Sequence, residues 1–220
     1  MSIAEKLTTV AENVPKVYEA GQQDVLKALS NNYTRTEWQN AFRRSDFSGL
    51  SFPQTIKVTN AYYMFTNYAG KYLPGGFDFS GQNAHDMTHL CRYDTYLLVF
   101  PDMGIKAQNA YGGTWQFCES LHTIEVVRCT EETTFSASFS GCYALKTITF
   151  EGTIGQNIDF GVCPLVKESI LNVFEHLSGT ASGKTATFKQ LAVMENVGSP
   201  YEQEWLDLVA TKPNWTISLV

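Results

Sequence analysis

Trp115-Gln-Phe-Cys118-Glu-Ser-Leu121-His-Thr-Ile124-Glu-Val126 is followed 24 residues later by Phe139-Ser-Gly-Cys142-Tyr-Ala-Leu145-Lys-Thr-Ile148-Thr-Phe150. An aromatic residue, Cys, Leu, Ile and a final apolar residue hold the same offsets in both copies. Self-similarity at a period of about 20–50 residues marks a repeat architecture, and such arrays present surfaces more often than reaction vessels. The apolar spacing of three and then two (Leu121, Ile124, Val126) fits a turn entering a strand, since an amphipathic helix would continue at three and four. Leu, Ile and the final apolar residue are therefore expected to point inward. Cys, small and weakly polar, suits a tight interior corner.

Working outward with the Cys as guide gives five copies, at Met64–Tyr68, Met87–Cys91, Thr114–Cys118, Ser138–Cys142 and Asp159–Cys163. Their intervals are 23, 27, 24 and 21 residues, so register is lost before Cys118, and the strand Tyr96–Phe100 is displaced by extra residues after Cys91. Strands of successive coils would stack as a parallel ladder about 4.8 Å apart.

The flanks read differently. Ile3, Leu7, Val10, Val14 and Val17 form a short heptad seam, interrupted at Pro15, that predicts a helical segment over 1–29, either a cap helix lying on the core or an attachment or oligomerisation segment. Residues 30–60, with Tyr33, Trp38, Phe42, Phe47 and Phe52, predict an N-terminal cap, and 61–178 the repeat array. Pro164 opens a helix with Val166, Ile170, Val173, Phe174 and Leu177 on one face. Beyond it, 179–220 predicts a mixed cap: a polar loop, a strand at Thr185–Lys189, a helix near 201–211 and a last strand from Trp215.

Composition narrows the function classes. A net charge of −6 and no Lys/Arg cluster argue against nucleic acid. Five cysteines without a CxxC fit buried thiols rather than a disulfide framework. No basic and apolar leader opens the sequence, and no apolar run approaches the roughly 20 residues that span a bilayer, so membrane insertion is not expected. Gly179-Thr-Ala-Ser-Gly183-Lys184-Thr185 has three residues between its glycines where a phosphate loop needs four. His85 and His89 lack further ligands. Cys118 beside His122 occupies a buried column, where a thiol is inert. No catalytic residue, metal site or cofactor is predicted. The candidate binding surface is the outer strand face, with Thr123, Glu125, Thr147, Thr149 and Glu151.

The phrases Phe139/Cys142/Leu145/Ile148 and Trp115/Cys118/Leu121/Ile124 resemble those of BspA-type leucine-rich-repeat proteins, and the two ends of the chain resemble the short phage- and prophage-encoded members of that group from gut bacteria. The resemblance implies an α/β leucine-rich-repeat solenoid with a parallel β-ladder, a helical N-terminal segment and a mixed α/β C-terminal cap. It also implies non-enzymatic binding. The expected role is a virion or tail-associated adhesion module that recognises a host-surface protein or glycan, or a virion partner, with homo-oligomerisation through the N-terminal helix. Its location would be the virion, or the bacterial cytoplasm before assembly. The alternative is an intracellular or bacterial-surface protein–protein interaction module.

Overall fold

The computed structural model describes residues 41–48, 51–58, 60–79, 87–199 and 202–220. The heptad residues Ile3, Leu7, Val10, Val14 and Val17 lie outside them, as does His85. The elements in chain order are β1 (Ser51–Lys57), β2 (Gly75–Asp78), β3 (Val99–Phe100), β4 (Thr123–Cys129), β5 (Thr147–Gly152), β6 (Ile158–Phe160), α1 (Lys167–His176), β7 (Lys184–Phe188), α2 (Gln190–Asn196), α3 (Gln203–Ala210) and β8 (Trp215–Leu219).

The expected leucine-rich-repeat solenoid, with one parallel ladder running through it, is not what these strands form. Among the described residues they divide into three parallel sheets, β1-β2, β3-β4-β5 and β6-β7-β8, accompanied by three helices. The second sheet ends at β5 because side chains of α1 accept that strand's outward N–H groups. The third sheet joins β6 to β7 and β8, so it straddles residue 178. The helix read from Pro164 is α1, the helix near 201–211 is α3, and both C-terminal strands form. Helix α2, seven residues long, had no sequence signal.

The register of the second copy is also corrected. Leu97, Leu121 and Leu145 each donate a backbone N–H to the carbonyl three residues back, on Asp94, Cys118 and Cys142 respectively. Those three residues in turn donate to Cys91, Trp115 and Phe139. Asp94, not Cys91, therefore occupies the thiol column, and Cys91 stands where the later copies carry an aromatic ring. Val99 pairs with Thr123 and Thr123 with Thr147, so the 24-residue step holds from residue 91 to the Ile124–Ile148 pair. The 27-residue interval came from following the residue type rather than the position.

Physical contacts fix this stacking. The Cys118 thiol donates to the Cys91 carbonyl at 2.9 Å, and the Cys142 thiol to Trp115 at 3.0 Å. Thr114 and Ser138 hydroxyls donate likewise to Met87 and Tyr111 of the preceding copy. Trp115 and Phe139 stack at 5.5 Å and 7°, and Phe139 and Phe160 at 4.5 Å. Each such ring pair adds about 0.5–1.5 kcal/mol beyond its burial. Trp115, Phe139, Phe150 and Phe160 are at most 1% exposed.

The turns before β2, β3, β4 and β5 each carry two left-handed residues four apart: Tyr63 and Asn67, His89 and Tyr93, Gly113 and Phe117, Ala137 and Gly141. A left-handed L-residue costs roughly 1–2 kcal/mol. Hydrogen bonding to the next copy offsets that cost, for the turn aims N–H groups along the stack: Asn67 to Arg92, His89 to Gly112, Tyr93 to Gln116, Gly113 to Ser136 and Phe117 to Ser140. The Tyr93 and Phe117 rings lie 5.0 Å apart and nearly parallel on the surface. Gly141 ends this column because Phe117 covers it: a Cβ there would sit 2.5 Å from Phe117 Cδ1.

Helix α1 buries Ile170, Val173 and Phe174 and closes the second sheet. The outward N–H groups of β5 at Ile148 and Phe150 donate to Ser169 Oγ at 2.9 Å and Asn172 Oδ1 at 2.7 Å. Phe174, Phe188 and Trp205 join α1, β7 and α3 in the C-terminal core.

Candidate functional site

The five residues read as a binding face lie on β4 and β5, but they are not equivalent. Thr123 and Thr147 are directly paired. Thr147, Glu125 and Glu151 are exposed, whereas Thr123 and Thr149 are half-buried. A bulge between Ile124 and Val127 shifts the alternation, so that Val127 pairs with Phe150 and is buried. Val126, expected to point inward, is half-exposed instead. An extra residue in one strand reverses which side its successors face, and no periodicity argument anticipates that.

The same bulge brings Arg128 opposite Glu151 and makes a charged cluster that sequence reasoning missed. Arg128 donates Nη1 and Nη2 to the two carboxylate oxygens of Asp102 at 2.7 and 2.8 Å. Its Nε donates to Glu151 Oε2 at 2.8 Å. The Asp102 carboxylate also accepts the Gly104 N–H at 2.8 Å, and the Asp102 N–H donates to Glu125 Oε2 at 2.8 Å. The two-pronged guanidinium, followed by the Gly104 N–H, holds the Asp102 carboxyl down at about 2. Arg128 is correspondingly held above its ordinary value, chiefly by Asp102. Thus Glu125 and Glu151 are positioned groups rather than free ligands: one anchors the loop after β3 and the other shares a guanidinium. The available signal was the Arg in Val126-Val-Arg128-Cys129, one copy before Glu151.

The remaining chemistry-bearing residues are engaged elsewhere. The Cys118 thiol is fully buried and burial pushes it well above its ordinary value, while His122 is exposed at the start of β4. Burial also pushes the Cys142 thiol up to about 12. In the Gly179–Thr185 loop, Lys184 Nζ donates to Gln156 Oε1 at 2.8 Å and the chain runs directly into strand β7. Ser178 and Thr180 hydroxyls both donate to Glu131 Oε1, which holds that carboxyl below its ordinary value. Among the described residues no three His, Cys, Asp or Glu side chains gather as a metal cage, and no helix is long and apolar enough to cross a membrane.

Asp94 is fully buried. Its Oδ1 accepts the Tyr68 N–H at 2.8 Å, whereas Oδ2 lacks a hydrogen bond of good geometry, the nearby Cys91 thiol being a weak donor. Burial pushes this carboxyl well above its ordinary range.

No protein-family model, curated protein or solved structure matches the chain.

Proposed function

We propose that this chain is a non-enzymatic binding module that meets its partner with the outer face of β4 and β5. The observation that carries the reading is the way this face is held. Thr123 and Thr147 stand in register across the two strands, and the charges of the face are locked by the Asp102–Arg128–Glu151 bridge and by the hold of Glu125 on the loop. A surface with fixed carboxylates loses little side-chain entropy on binding. Hydroxyl-rich and net acidic, it suits a cell-surface glycan or a protein patch with exposed amides and cations. The likeness of the two ends of the chain to short phage- and prophage-encoded proteins supports a location on a virion or its tail.

The experiment is binding of the labelled chain to intact bacterial cells and to a glycan array, beside the Thr147→Arg/Thr149→Arg double variant. The expected result is saturable binding weakened at least tenfold in the variant, with its thermal midpoint retained. Equal binding by the two proteins, or none by either, overturns the reading. Mass spectrometry of purified particles tests the virion placement, which fails if the chain is absent from them.

A further inference from the structure

The molecule treats two of its edge strands in opposite ways. The outer edge of β5 is closed, because Ser169 and Asn172 of α1 accept its outward N–H groups. Among the described residues the outer edge of β8 has no such cover. Val220 donates its N–H to Phe188 and accepts from Gln190, so the alternate residues Thr216 and Ser218 also turn their backbone groups toward β7. Ile217 and Leu219 therefore aim N–H and C=O away from the sheet, and among the described residues nothing pairs with them. Trp215 has its N–H on Lys212, leaving its carbonyl outward.

This edge also lacks the devices that protect exposed strands. Trp215-Thr-Ile-Ser-Leu219 contains no charge and no proline, and its register with β7 has no bulge. Ile217 and Leu219 pack on the core yet remain half-buried, so the apolar layer is unfinished at this boundary.

We propose that β8 pairs antiparallel with β8 of a second copy of this chain, about a two-fold axis through Ile217. The strand is self-complementary in that arrangement. Ile217 meets Ile217 and exchanges two hydrogen bonds, and each Leu219 N–H reaches the partner copy's outward Trp215 carbonyl. Thr216 comes opposite Ser218 on the other face. Because the axis is perpendicular to the sheet, both Trp/Ile/Leu faces lie on one side and the two three-stranded sheets become one of six. An isologous pair of this kind is closed and does not propagate into a fibre.

The test is sedimentation of the full chain, wild type beside Ile217→Pro, together with oxidation of a Thr216→Cys/Ser218→Cys variant. Proline removes an outward N–H that β7 does not use. The expected results are a wild-type dimer, a dissociation constant at least tenfold weaker in Ile217→Pro, and a covalent dimer from the cysteine pair that reductant reverses. Directly opposed Thr216 and Ser218 have the Cα separation of about 4.5 Å that a disulfide tolerates. A monomeric wild type, an Ile217→Pro protein that dimerises undiminished, or a cysteine variant that stays monomeric overturns the proposal. If Ile217→Pro does not fold, the crosslink decides alone.

Discussion

Asp94 and Asp102 sit eight residues apart in one copy of the repeat phrase and live in opposite worlds. Asp94 fills the thiol column of the core, with the Tyr68 N–H on one oxygen and no hydrogen bond of good geometry on the other, and burial pushes its carboxyl up. Asp102 stands at the surface with a two-pronged guanidinium and a turn N–H, and is held down at about 2. The identity of the residue decides neither outcome. Position in the coil decides both, because the 24-residue step delivers residue 94 to the interior and residue 102 to the rim of the strand face.

The largest expected effect comes from adding to the buried side of this contrast. Cys118→Asp would stack a second carboxyl against Asp94 in the same column, and a loss of about 3 kcal/mol or more is expected in urea unfolding. Restoring the column with Asp94→Cys should do the reverse. The variant is expected to be more stable than wild type by about 1–2 kcal/mol at pH 7, the typical penalty of an under-satisfied buried group. The sign with pH follows from the raised carboxyl. In the unfolded chain Asp94 ionises near an ordinary value of about 4. As pH rises above that, the folded state still binds the proton, so wild-type stability falls relative to Asp94→Cys until the folded carboxyl itself ionises. Unfolding measured at pH 4 and pH 7 should show the gap between the two proteins widening toward pH 7.

Cys142→Ala removes a thiol and its bond to the Trp115 carbonyl without adding charge. About 1 kcal/mol is expected, read as a lower thermal midpoint. The smallest effect belongs to the surface. Arg128→Ala should cost less than about 1 kcal/mol, since exposed ion pairs contribute little. It should nonetheless let the Asp102 carboxyl rise from about 2 toward its ordinary range, seen by NMR titration. The sign is opposite to that of Asp94: whatever Asp102 contributes is present above the unfolded value and is lost as pH falls through about 2. If Arg128→Ala leaves Asp102 unmoved, the guanidinium is not what separates the two aspartates.

The sequence was legible where chemistry and position coincide. Trp115/Phe139, Cys118/Cys142, Leu121/Leu145 and Ile124/Ile148 are all buried. It misled where they diverge: Cys91 shares the residue type of the thiol column but not its place, and a carboxylate is the last side chain one would seek in a core. The β4 bulge, the placement of Arg128 and the seven-residue helix α2 depend on contacts between distant segments, which local spacing does not encode. Division into three sheets was illegible for the same reason. At β5 it follows from α1, whose Ser169 and Asn172 accept that strand's outward N–H groups from 21 and 22 residues further along the chain. On the candidate face, Thr123, Glu125, Thr147, Thr149 and Glu151 were found from alternation, yet what holds the two glutamates could not be.

The closure of β5 by α1 has a consequence for how the chain is made. Ile148 and Phe150 emerge from the ribosome before Ser169 and Asn172 do, so the N–H groups of that strand must wait for their acceptors. At about 5–20 residues per second the delay is on the order of one to a few seconds. For that interval the nascent chain displays an adhesive strand margin on Thr147–Gly152, and the helix that follows ends the exposure.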